Sequence, residues 1–229
     1  MRGMLFWGNA CLGLAAGWGI LLWAGLLLKK EQIFLTRGPQ RWILFLTCAA
    51  FATLPLGGMR GRALALADAA AAFAALHAVT DYASGYIYDR NVLLSLACAA
   101  VLRLPFGFWG ELSLLVRGLL AGTLPLCCVV LLTRGGMGWG DATLMAGLGA
   151  LLGMSLTIAA LYMGLVIGGV CGVFLMLTGK ATRKTRLPLA PFLAVGVWLA
   201  LVLAPLLSPY LGISLDICRA GPVLESLPF

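Results

Sequence analysis

Apolar residues run along this chain in stretches of about twenty, separated by short polar breaks, with neither strand-like alternation nor a one-sided helical stripe. A helix needs about 20 apolar residues to cross a hydrocarbon core of ~30 Å, and it satisfies its own backbone hydrogen bonds there. The pattern therefore predicts an all-α, polytopic transmembrane bundle with spans near 4–28, 42–58, 63–80, 91–107, 112–132, 142–154, 156–178 and 189–207. The run 142–178 is too long for one crossing and is divided near Gly153-Met154-Ser155, the sixth segment being a full span or a re-entrant one. The first stretch ends at Lys29-Lys30 without a small-residue cleavage site, and it reads as a retained span.

Composition agrees: 62% of the 229 residues are hydrophobic and 10% charged, against roughly a quarter charged in a soluble domain. The net charge of +8 would suit nucleic acid, but loop lysines and arginines are what membrane orientation requires, so no nucleic-acid partner is expected. Eight spans put both termini on one side and the segments 29–41, 81–90, 133–141 and 179–188 on the other. The second set holds ten of the sixteen basic residues, which makes that face cytoplasmic; Arg60 and Arg62 are the counter-signal. The seven cysteines form no Cys-x-x-Cys pair, so no metal and no other cofactor is expected. Gly164, Gly168 and Gly172, like Ala67, Ala71 and Ala75, recur every four residues and predict close helix packing within the bundle.

The eight acidic residues narrow the chemistry. Asp81 closes the third span and Asp141 opens the sixth, at the same predicted face. Two carboxylates within reach of one another share a proton, because like charges in a low-dielectric site repel. The ionised partner can then activate a water while the protonated one supports the oxyanion and the leaving amine. Asp81 could instead cap a helix or pair with Arg90, and Asp141 could be an N-cap, as could Asp89. Asp141 ends Gly135-Gly136-Met137-Gly138-Trp139-Gly140, a glycine density unlike ordinary helix; no Gly-Lys-Ser/Thr follows, so it is not a phosphate loop. A substrate backbone approaching the carboxylate would account for those glycines. Asp68 belongs near the opposite interface with Arg62 or Arg103 as candidate partners; His77, one turn before Asp81, has the spacing to share its face, but a lone histidine in a bundle reads as a packing residue, and a two-aspartate mechanism does not need it. A transporter would place acids at mid-membrane depth or show related repeats, and the sequence does neither.

Three stretches resemble the prepilin peptidases, within the Gly-x-Gly-Asp group of intramembrane aspartic peptidases. They are Gly136-Met-Gly-Trp-Gly-Asp141-Ala-Thr-Leu144 with the Gly/Ala-rich run to Gly153, Thr80-Asp81 through Asn91, and Leu187-Pro-Leu-Ala-Pro-Phe-Leu-Ala-Val-Gly196. The resemblance covers roughly 63–200. Thr143 stands where the family commonly has lysine, and Tyr88 where it has a turn proline. What the likeness implies is an aspartic endopeptidase with catalytic Asp81 and Asp141, and with Gly136, Gly138, Gly140, Pro188 and Pro191 framing the substrate. It further implies cleavage of leader peptides from prepilin-like precursors at the cytoplasmic face of a bacterial inner membrane, with those precursors and membrane lipid as partners and with pili or secretion as the setting. Long members carry a cytoplasmic domain with paired Cys-x-x-Cys motifs and an N-methylation role between their first two spans. Only Lys29–Arg41 stands in that place, so a short, peptidase-only form is expected. The expected organisation is two N-terminal helices (1–62), a six-helix peptidase core (63–207) and an extracytoplasmic tail (208–229). An inactive relative serving as an assembly factor is the alternative.

Overall fold

The computed structural model describes residues 2–29, 37–57, 59–133, 138–180 and 188–211. Within these residues it contains eight α-helices and no strand: α1 (Arg2–Lys29), α2 (Arg37–Thr53), α3 (Gly61–Ser84), α4 (Asp89–Arg103), α5 (Phe108–Leu132), α6 (Trp139–Leu152), α7 (Met154–Leu177) and α8 (Ala190–Leu211). Four of them, α1, α3, α5 and α7, are long and apolar enough to span a bilayer, and shorter apolar helices pack among them. The molecule is a multi-pass membrane protein. Many of its large apolar side chains, such as Trp7, Leu132 and Leu177, point outward, as lipid-facing residues do.

The break at Gly153 is real: this residue adopts a positive φ of 79° between α6 and α7, a conformation open to glycine. At 14 residues α6 is only about 21 Å long, short of a full crossing. It is instead the most enclosed helix of the core, with Leu144, Met145, Leu148, Ala150, Leu151 and Leu152 all buried. Glycines let its neighbours come close. A Cβ on Gly118 of α5 would lie 2.1 Å from the Gly149 carbonyl oxygen, and one on Gly122 would lie 2.2 Å from that of Met145. Gly164 and Gly168 of α7 similarly admit Leu193 and Phe192 of α8. Small-residue spacing thus serves packing inside the bundle, as the sequence predicted.

Because α6 ends inside the protein, its last carbonyls need partners that water cannot supply. Arg103, fully buried at the end of α4, provides them: Nε donates to the Ala150 oxygen (3.0 Å) and Nη2 to that of Leu151 (2.8 Å). Its Nη1 reaches Glu111 at the start of α5 (3.2 Å), and Glu111 also pairs with Arg62, which stacks on Phe106. This corrects one expectation: Arg62 and Arg103 serve Glu111 rather than Asp68. Asp68 accepts a hydrogen bond from Asn9 (2.9 Å), whose amide also donates to the Phe51 carbonyl, tying α1 and α2 to α3. Trp198 of α8 adds a bond to Thr53 (3.0 Å). The expected tail begins inside α8, which continues to Leu211; 212–229 lie outside the described residues.

Two outcomes test this packing. Gly118→Ala should destabilise the bundle by about 1–3 kcal/mol through backbone displacement, whereas Gly25→Ala, with nothing within 4 Å, should not; SDS-induced unfolding in mixed micelles measures both. Arg103→Leu strands two buried carbonyls and leaves Glu111 to Arg62 alone, and it should cost about 2–5 kcal/mol in the same assay.

Candidate active site

Helix α3 stops because Gly85 takes a left-handed conformation (φ 68°) and its N–H closes onto the Asp81 carbonyl at 2.7 Å. The chain then runs extended through Tyr86–Tyr88 before α4 begins at Asp89. The N-cap of α4 is Tyr88 and that of α6 is Gly138, so neither Asp89 nor Asp141 holds the capping position considered for it. Asp141 is the third residue of α6, and its carboxylate takes a hydrogen bond from the Gly138 backbone, as a third-position acid does in a capping box. The glycines before it serve close approach: a Cβ on Gly140 would stand 3.2 Å from the Ile87 Cβ, so the turn after Asp81 rests directly on the turn before Asp141.

Asp81 is buried at 7% exposure and is held from another direction. Its Oδ2 accepts the N–H of Ala190, the first residue of α8, at 3.1 Å. Pro191 follows in the first turn, where its missing N–H costs nothing, and Pro188 leads into the helix; both are half-buried. Each carboxylate therefore sits at a helix N-terminus, Asp81 at that of α8 and Asp141 at that of α6, where partial positive charge and free N–H groups favour an anion. The two are close enough for the Asp81 charge to act on the Asp141 carboxyl. Asp81 is bound by Ala190 rather than paired with Arg90. Tyr82, Tyr86 and Trp139 stand exposed around this end.

Of the site residues the sequence singled out, Asp81, Asp141, Gly138, Gly140, Pro188 and Pro191 gather at this end, and Gly136 lies outside the described residues. Thr143 is exposed and bonds only back to the Gly140 carbonyl (2.8 Å). The Ala190 N–H escaped sequence reasoning, because a backbone group has no residue-type signature; the flanking prolines marked the helix start without naming its partner. Glu111, at the start of α5, is the centre of the ion cluster at the opposite end. Among the described residues no cluster of three potential metal ligands exists.

Both aspartates lie within the stretch of the chain that resembles a known family. Residues 69–173 match the type IV leader peptidase family. Similar curated proteins include the "Prepilin leader peptidase/N-methyltransferase" of Bacillus subtilis (strain 168), 36% identical over 125 residues, which are 54% of this chain and 49% of that protein. The protein of the same name from Burkholderia pseudomallei (strain 1026b) is 34% identical over 152 residues, 64% of this chain and 48% of that one. The chain thus spans about half the length of the curated relatives it matches. No solved structure matches it.

The contact between the two turns is directly testable. Ile87→Cys with Gly140→Cys, on a background with the native cysteines replaced, should form a disulfide under mild oxidation, since the Cβ separation is close to the ~3.8 Å such a bond prefers. A pair at Ile87 and Gly164 should not, and mass spectrometry of proteolytic fragments distinguishes them.

Proposed function

We propose that this protein is a membrane aspartic endopeptidase that removes leader peptides from prepilin-like precursors, with Asp81 and Asp141 as its working carboxylates. The observation that carries the proposal is the gathering of both aspartates at one end of the bundle, each supported by backbone N–H groups at a helix start. The family match and the names of the curated relatives support the substrate class. Only the peptidase reaction is proposed; the methyl transfer in those relatives' names is not part of it.

In this reading one aspartate, ionised, takes a proton from a water molecule as that water attacks the scissile carbonyl. The other, protonated, donates to the developing oxyanion and then to the leaving amine. The Ala190 N–H fixes the Asp81 oxygen and so selects its rotamer before substrate arrives, which lowers the orientational part of the barrier. Gly138 leaves the approach to Asp141 free of a side chain, so an extended substrate backbone can come alongside, while Gly140 admits Ile87. Residues 63–207 form the catalytic core, and α1 with α2 forms a hairpin docked on it. Counted along the sequence, the segments rich in lysine and arginine fall on the same side of the predicted spans as Asp81 and Asp141, which supports a cytoplasmic-facing site in a bacterial inner membrane. A basic leader followed by an apolar helix would present its scissile bond at that level.

The test is processing of a candidate prepilin in membranes, followed by mass. Asp81→Ala and Asp141→Ala should each abolish cleavage while the folded protein persists. Activity surviving either change would sink the two-aspartate assignment, and a folded wild-type protein that cleaves no matched precursor would favour an inactive assembly factor. Ala190→Pro is the finer probe: proline suits a first helical position, so α8 should form, yet the bond to Asp81 is deleted and the turnover rate should fall about 10-fold.

A further inference from the structure

His77 is the single histidine of the chain, and it is completely enclosed, with 0% exposure. Neither ring nitrogen has a hydrogen-bond partner. A neutral imidazole carries one donor and one acceptor, and burying both unpaired costs about 1–3 kcal/mol for each group. Core packing alone would be served better by leucine, so the ring calls for a polar neighbour.

Its place in α3 identifies that neighbour. Ala70, Ala74, His77 and Asp81 recur at three- and four-residue spacing, forming one buried stripe that carries α3 into the main core. His77 stands one turn deeper than Asp81, with Cβ atoms about 6 Å apart for that spacing. On α3 itself the neighbouring hydroxyl protons are committed elsewhere: Thr80 donates to the Leu76 and His77 carbonyls, and Ser84 to that of Thr80. On the flanking side of the helix, Leu76 and Val79 sit among the apolar Ile20 and Ala24 of α1. Asp81 is the one carboxylate on the face that His77 shares.

We infer that His77 is a positioning residue for Asp81, hydrogen-bonded to its carboxylate through one buried water. Ala190 holds the carboxylate from the α8 side and His77 braces it from within the bundle, so the group is restrained from two directions. The inference rests on the proposed role of Asp81, but the contact itself does not require catalysis. Buried waters of this kind make about three hydrogen bonds to polar groups that would otherwise lack partners.

Because the chain has one histidine, 15N-histidine labelling gives a single imidazole spectrum in detergent micelles or nanodiscs. Asp81→Asn should shift those ring signals, while Asp68→Asn, about two and a half turns from His77 on α3, should leave them in place. Unchanged signals in a folded Asp81→Asn protein overturn the contact, whatever the cleavage assay gives. The positioning role is read from kinetics: His77→Leu should lower kcat about 10-fold with KM within two-fold, and His77→Gln should recover most of the loss. Wild-type kcat in His77→Leu, or no recovery in a folded His77→Gln, overturns that role. Should Asp81→Ala itself still cleave, the catalytic reading fails separately, and the labelled spectrum still decides the contact.

Discussion

A helix that ends inside a membrane protein leaves carbonyls which neither lipid nor water can satisfy, and the architecture turns on how α6 meets that constraint. Arg103 donates to Ala150 and Leu151 and is neutralised in turn by Glu111. A guanidinium is suited to this because its planar fork carries five donors and serves two carbonyls and a carboxylate together. With its C-terminus anchored, α6 can be short. At its other end α6 carries Asp141, close enough for the Asp81 charge to act on it.

The opposite end of the bundle answers a different need. There the N-termini of α6 and α8 converge on the end of α3, and the orphan N–H groups of helix starts meet carboxylates instead of carbonyls. Charge is thus concentrated at both ends of the core, cations with Glu111 at one and aspartates at the other, while the middle is packed with alanine, leucine and glycine. Close α5–α6 packing at Gly118 and Gly149 holds the distance between the ends, because two backbones in contact leave little room to slide.

The N-terminal hairpin lies outside the region matched to the leader peptidase family, yet polar bonds couple it to the core. Asn9 bridges Asp68 and the Phe51 carbonyl, and Trp23 donates to Asn91 close to the aspartate end (3.0 Å). Such bonds carry orientation as well as stability where lipid offers no hydrophobic drive between helices. The apolar groove beside this hairpin is lined by Ile20, Trp23, Phe73 and Leu76, on the side of α3 away from Asp81.

Much of this was legible in the sequence. Long apolar runs, which only helices can carry across lipid, determined the eight elements and even the division at Gly153, where a glycine sat in a run too long for one span. The two aspartates stood out because charge is costly in such a setting, and the glycine run before Asp141 pointed to close backbone approach. What the sequence left open depended on partners distant along the chain. Asp81 is held by a backbone N–H 109 residues away, a group every residue but proline carries and which therefore leaves no compositional trace. Arg62, Arg103 and Glu111 each had several oppositely charged candidates, and only the packing of α3, α4 and α5 chose among them. The full burial of His77 was likewise a tertiary outcome. Periodicity placed it on the Asp81 face of its helix, and the helices around it decided that no water-exposed surface reached its ring.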